Sequence, residues 1–125
     1  MSKNDMFKSV AKGVLTGSEA HKVYALAKGK NCALPAINVS SSSTVNAALE
    51  AAKITQLPII IQFSSGGSAS FIGKGVNLDA VESAINGAIA GANYVHLAAE
   101  SYGVSVILHT DHANRKLLPW IDGLL

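Results

Sequence analysis

The residues able to do chemistry gather at a few places in this chain. His109-Thr110-Asp111-His112 closes an apolar run and sets two imidazoles beside a carboxylate. A zinc ligand must be a neutral imidazole or an anion, and an adjacent carboxylate can orient the imidazole or move protons beside the metal. On extended backbone, residues i and i+2 share a face. His109 and Asp111 then point together while Thr110 and His112 turn the other way, unless the strand ends first. Spacing leaves open which histidine is the ligand, and a structural polar cluster is the competing reading. Ser64-Ser65-Gly66-Gly67 is a second candidate, a loop whose backbone N–H groups and hydroxyls could cradle an anion. It lacks the Gly-Lys-Ser/Thr ending of a P-loop and is not a G-x-G-x-x-G pattern, so a plain flexible loop is the alternative. Lys74, between two glycines, could bring an ammonium to the same anion or stand solvated. Asn38 is either an inward-facing amide at a substrate site or a turn former at a strand end.

Other reactive side chains read as structural. His21 lies on a polar helix face, solvated; His96, among Val95, Leu97 and Ala98, reads as a packed or interface histidine. Cys32 has no Cys or His at finger-like spacing and reads as a buried thiol. Trp120 is expected to pack against the wall of the fold.

The elements that must position these groups follow from periodicity and punctuation. Thr16-Gly17-Ser18-Glu19 has the T-x-x-E form of a capping box, and Val23, Leu26 and Ala27 recur at helical spacing until Gly29. Ala33 to Val39 reads as a first strand of about five residues. Ser43 or Thr44 can cap the next helix, whose apolar face is Val45, Ala48, Leu49 and Ala52. Pro58 introduces Ile59-Ile60-Ile61-Gln62-Phe63, a continuous run typical of a parallel sheet covered on both faces. Ser64 to Ser70 is expected as loop. A long helix capped by Asp79 and Glu82 runs to Tyr102 before Gly103, and Val104 to Leu108 forms the third strand. Pro119 sits in the first turn of a last helix. A leading helix followed by three strand–helix units gives a parallel α/β fold with right-handed crossovers. In such folds ligands bind at the carboxyl ends of the strands, where Asn38, Ser64 and His109 to His112 all fall.

Composition narrows the function classes. The 125 residues are 49% apolar and only 14% charged, with mean hydropathy +0.30. That is rich in apolar residues for a small domain and is consistent with faces that pair with something else. A net charge of +2 from scattered basic residues gives no nucleic-acid stripe. One cysteine cannot form an internal disulfide and fits a reducing compartment. No segment is long and apolar enough for a membrane helix, and Met1 to Asp5 lacks a secretory core. A cytoplasmic location is expected, with no nucleic-acid or membrane partner.

Taken with their flanks, these residues resemble a known family. Val104-Ser105-Val106-Ile107-Leu108-His109-Thr110-Asp111-His112-Ala113 resembles the signature of class II fructose-bisphosphate aldolases. Lys116-Leu117-Leu118-Pro119-Trp120-Ile121-Asp122-Gly123-Leu124-Leu125 resembles their class A branch. Ala33 to Asn38, Gln62-Phe63-Ser64 and Ser70 to Gly75 agree, so the likeness runs from Gly13 onward. The resemblance implies an N-terminal part of a (β/α)8 TIM barrel: a leading helix and the first three βα units. It implies aldol cleavage and condensation between fructose 1,6-bisphosphate and the two triose phosphates, in glycolysis and gluconeogenesis. By position, His112 matches the first zinc-binding histidine and Asp111 the catalytic acid/base. Ser64 matches a residue contacting the glyceraldehyde 3-phosphate end, and Asn38 a substrate-site asparagine beside it. Zn2+ is the implied cofactor, acting as a Lewis acid on the dihydroxyacetone phosphate carbonyl. A homodimer is implied for the full-length form. Ser65 departs from the asparagine many relatives carry there. The family's two further zinc histidines, its second acidic residue and its dihydroxyacetone-phosphate loops fall beyond residue 125. Residues 1–125 are therefore expected to be a partial domain, truncated at its C-terminus and inactive alone. Three other readings stand beside this one. Tagatose-bisphosphate aldolase shares fold and metal chemistry, though the Lys-Leu-Leu-Pro-Trp run favours fructose. A metal-dependent hydrolase would need further His-x-His clusters, and a non-catalytic fragment would only pair with other subunits.

Overall fold

The computed structural model describes residues 5–125. Residues 1–4, part of the stretch read for a secretory core, lie outside it. A short 3-10 turn at Asp5–Phe7 is followed by β1 (Gly13–Val14), α1 (Gly17–Gly29), β2 (Ala36–Asn38), α2 (Ser42–Thr55) and β3 (Ile59–Phe63). Then come α3 (Ser65–Ile72), α4 (Ala80–Tyr102), β4 (Ser105–Thr110), a 3-10 turn at Arg115–Leu117 and α5 (Leu118–Asp122). The four strands form one parallel sheet in the order β1-β4-β3-β2. Strand β2 is one edge. At the other, β1 pairs only with Ser105 and Val106, the start of β4.

Alternation along the strands sends side chains to two cores, as a parallel sheet buried on both faces requires. Ile59, Ile61, Phe63 and Val106 meet Val45, Leu49, Val95 and Ala99 of α2 and α4 on one face. On the other face Ile107 joins Met6 and Phe7 of the N-terminal turn, Val10 and Leu15 of the segments flanking β1, and Val23 of α1. That second core fills only the lower part of its face, leaving the strand ends open.

The structure corrects the sequence reading at several points. The sheet has a strand the sequence did not announce, because two residues carry no periodicity; Gly13 and Val14 are placed by their register on Ser105 and Val106. Strand β2 is three residues long rather than about five, although Pro35 and Val39 extend its backbone bonding to β3. Ser64 to Ser70 is not a loop: Ser64 caps α3, accepting from the Gly67 N–H at 3.0 Å. Glycine-rich sequence becomes helix here because α3 lies against Gly87, whose missing side chain lets the Ser68 backbone approach α4. Thr16 makes no side-chain cap on α1; Glu19 instead accepts the Ala11 N–H at 3.2 Å. The cap of α2 is Ser41, not Ser43 or Thr44, with Thr44 completing a capping box. The Asp79–Glu82 box on α4 and its stop at Gly103 (φ +67°) are as expected. Trp120 is buried and its indole N–H donates to the Ala84 carbonyl at 3.2 Å. Cys32 is only partly buried, its Sγ 3.5 Å from the Ala27 carbonyl oxygen. His96 on α4 and His21 on α1 are both exposed. No helix among the described residues is long and apolar enough to cross a membrane.

Candidate active site

Parallel pairing aligns Asn38 with Gln62 and Gln62 with His109, so three polar residues form a row across β2, β3 and β4. They lie on the face opposite Ile61 and Phe63, just beyond the point where the second core ends. In that row the His109 Nδ1–H donates to Gln62 Oε1 at 3.0 Å, since an amide oxygen can only accept. In the neutral tautomer with the proton on Nδ1, this contact leaves the Nε2 lone pair unused.

Asp111 stands two residues beyond His109, on the same face, and is tied to the sheet by its N–H donating to the Phe63 carbonyl at 2.8 Å. Its Oδ1 accepts the His112 backbone N–H at 2.8 Å and lies 3.0 Å from His112 Nδ1. Its Oδ2 accepts the Asn38 amide at 3.5 Å. These contacts hold the carboxyl below its ordinary range: the His112 backbone N–H acts most, partial burial opposes it, and the His112 ring and Asn38 amide add to the lowering. Asp111 is thus an oriented carboxylate with 23% of its side chain exposed, while the His112 side chain is 95% exposed.

Of the residues singled out from sequence, Asn38, Asp111 and His112 are joined by direct contacts, with His109 in the same cross-strand row as Asn38. Ser64 lies at the end of β3, next to the carbonyl that holds Asp111. Its hydroxyl is occupied as the α3 cap, and its carbonyl accepts from the Ser68 hydroxyl at 2.7 Å. Among the described residues, no hydrogen bond or ion pair joins Lys74 to this group. Gln62 was missed as a site residue. The signal was present: it is the one polar residue in the Ile59–Phe63 run, on the face shared by Asn38 and His109.

The donor chemistry suits a metal in part. His112 has Nδ1 on a carboxylate and Nε2 free, the arrangement of a histidine ligand with its orienting partner. His109 on Gln62 shares that form, so geometry alone admits either. Among the described residues no three His, Cys, Asp or Glu side chains converge. A catalytic zinc normally takes three protein ligands, so these residues fit one corner of such a centre.

A family model described as Fructose-bisphosphate aldolase class-II matches residues 18–122. The chain is 53% identical over 121 residues to the fructose-bisphosphate aldolase class 2 of Escherichia coli (strain K12), covering 96% of this chain and 34% of that protein. It is 55% identical over 117 residues to a fructose-bisphosphate aldolase of Haemophilus influenzae, covering 93% and 33%. A crystal structure of the Campylobacter jejuni enzyme superposes with a TM-score of 0.87 at 52% identity, over 94% of this chain and 33% of that one. The chain spans about a third of the length of the curated relatives it matches.

Proposed function

The chain belongs to the class-II fructose-bisphosphate aldolase family, and from that premise we propose that its strand ends form one wall of a centre that cleaves fructose 1,6-bisphosphate. The observation that carries this is the contact set Asn38–Asp111–His112 at the carboxyl ends of parallel strands.

Asp111 is the proton-transfer group. In cleavage its carboxylate takes the proton from the C4 hydroxyl as the C3–C4 bond breaks. The C4 oxygen becomes the aldehyde of glyceraldehyde 3-phosphate, and the bond's electrons remain with the three-carbon enediolate. In condensation the same carboxyl returns the proton to the aldehyde oxygen. A base must be ionised to start this sequence, and the bonds from His112 and Asn38 keep Asp111 so. Asn38 orients it and lies within reach of the sugar. Ser64 presents the start of α3 to the phosphate on the glyceraldehyde side. His112 is one ligand of a divalent metal, proposed as Zn2+, which when bound supplies Lewis-acid polarisation of the substrate carbonyl. His109 on Gln62 supports the floor of the site. The whole enzyme would act in glycolysis and gluconeogenesis in the cytoplasm, as a homodimer. With one corner of the metal centre, the 125 residues alone hold zinc weakly and turn over no substrate.

The test is a chimaera in which these residues replace the matching third of the Campylobacter jejuni aldolase. It should cleave fructose 1,6-bisphosphate in preference to the tagatose isomer. Asp111→Ala should lower kcat by about 10²–10⁴ with KM little changed. Undiminished turnover in that variant refutes the proton-transfer role. Chelator-sensitive cleavage by the 125-residue chain alone refutes the incomplete-centre reading.

A further inference from the structure

At the end of the sheet opposite the candidate site, where β3 and β4 begin, a cleft of about 330 Å³ opens at the ends of α2 and α4. Its walls are the N-terminal segment, α2, the start of β3 and the α4–β4 junction. The floor is apolar and buried, made by Phe7, Ala52, Pro58 and Val104. Ser105 also reaches it, but its hydroxyl is spent on the Ala11 carbonyl at 2.6 Å. The rim is cationic: Lys8, Lys12 and Lys53 line it, together with Gln56 and Tyr102. Lys53 Nζ stands 5.8 Å from the centre of the Tyr102 ring, a cation–π contact that keeps the ammonium at the cleft.

Charge decides what such a cleft can take. A helix C-terminus carries about −0.5 of a charge, so the ends of α2 and α4 together offset roughly one ammonium. Lys8 is paired with Asp5. Among the described residues Lys12 and Lys53 enter no ion pair. Glu50, whose carboxylate accepts the Tyr102 hydroxyl at 3.2 Å, does not line the cleft, and neither does Glu100. About one positive charge is left over above an apolar floor. We propose that this cleft is a second binding site, for a small organic monoanion with an apolar or aromatic body and one carboxylate. The body lies on Phe7, Pro58 and Val104, and the carboxylate meets Lys12 and Lys53 at the rim. Contact with the floor supplies affinity and the two ammoniums supply orientation. A sugar phosphate suits the cleft less: its hydroxyls would lie on hydrocarbon, and a dianion exceeds the surplus charge. The site is independent of the proposed aldol chemistry, because it sits at the amino ends of the strands and Asp111 beyond their carboxyl ends.

The experiment titrates the isotope-labelled 125-residue chain with 3-phenylpropionate and follows its backbone amide signals by NMR. Shifts should saturate with a Kd of about 1 mM or tighter, and they should centre on Gln56, Leu57, Gly103 and Val104. Lys12→Gln and Lys53→Gln should each weaken binding by about fivefold. Lys28→Gln, exposed on α1 and outside the cleft, should leave it unchanged. 3-Phenylpropionamide lacks the charge and acetate lacks the ring, so each should bind about tenfold more weakly or worse. The amide spectrum of each variant shows whether it is folded. No saturable shift at these residues up to about 20 mM ligand overturns the proposal, as do lysine variants that bind like the parent. Equal binding of the amide also overturns it, by making the cleft a merely apolar hole. So does phenyl phosphate binding more tightly than the carboxylate, which would deny the monoanion. Saturable shifts confined to Leu34, Pro35, Ile37 and Ala51, in the cleft beside β2, would likewise refute it.

Discussion

Replacing Gly87 by alanine isolates the packing that holds the Ser64 helix in place. A Cβ built on Gly87 would sit 2.5 Å from the Ser68 carbonyl carbon and 3.3 Å from its Cα, with the carbonyl oxygen closer still. The obstacle is backbone, so no side chain can swing aside; α3 and α4 must part by about an ångström. Overpacking of this kind costs about 1–3 kcal/mol, and a backbone clash lies toward the upper end. Against it stands the gain of about 1 kcal/mol when alanine replaces glycine inside a helix. The net expectation is a loss of about 1–2 kcal/mol. With a urea slope of about 1–3 kcal/mol/M, the midpoint should fall by roughly 0.3–2 M. Gly66→Ala in α3 is the matched control: nothing lies within 4 Å of its Cβ and its φ is not positive, so it should be neutral or slightly stabilising. Urea melts of the three proteins, followed by circular dichroism, decide the matter. A Gly87→Ala variant as stable as the parent, or more so, would show that α3 is not held by this approach.

Three further outcomes are expected. Trp120→Ala should cost about 3–5 kcal/mol, because it empties a fully buried ring site and removes the indole's bond to the Ala84 carbonyl; Trp120→Phe, which keeps most of the ring volume, should cost less. Thermal melts check this, and equal losses for both would deny the role of size. Asp79→Ala should cost about 1 kcal/mol by leaving the Glu82 N–H uncapped, while Asp79→Asn should lose much less, read in the same melts. Tyr102 should titrate above its ordinary value, because partial burial and then its hydroxyl's bond to Glu50 at 3.2 Å favour the protonated form. Lys53, 5.8 Å over the ring, faces it as well. A raised pKa means the native state holds this proton more tightly than the unfolded chain does. Its stabilising effect is therefore complete below the unfolded value and disappears as pH rises through the folded one. Ring-carbon NMR titration should show the midpoint fall in Glu50→Gln, and an unmoved midpoint would remove Glu50 as a cause.

Much of this protein was legible in its sequence, and for local reasons. The Asp79–Glu82 box and Gly103 delimit α4 through contacts a few residues apart. The Ile59–Phe63 run declares a doubly buried strand, and the order of elements implies parallel pairing. His109 to His112 could be read as a site because strand ends in this architecture are where ligands bind. Other features depended on partners distant along the chain. Gly13–Val14 is a strand only because β4 lies alongside it. Ser65 to Ile72, rich in glycine and serine, is helical only because Gly87 admits its backbone. Thr16 makes no cap bond, and Glu19 reaches instead to the backbone N–H of Ala11, eight residues away. Gln62 gained its place from cross-strand register, which no pattern within its own strand can express. The sequence by itself determined which residues could handle a proton or a metal and which strands would carry them. Tertiary structure decided that Asn38, 73 positions from Asp111, would hold its second oxygen, because parallel register and not chain distance brings strand ends together.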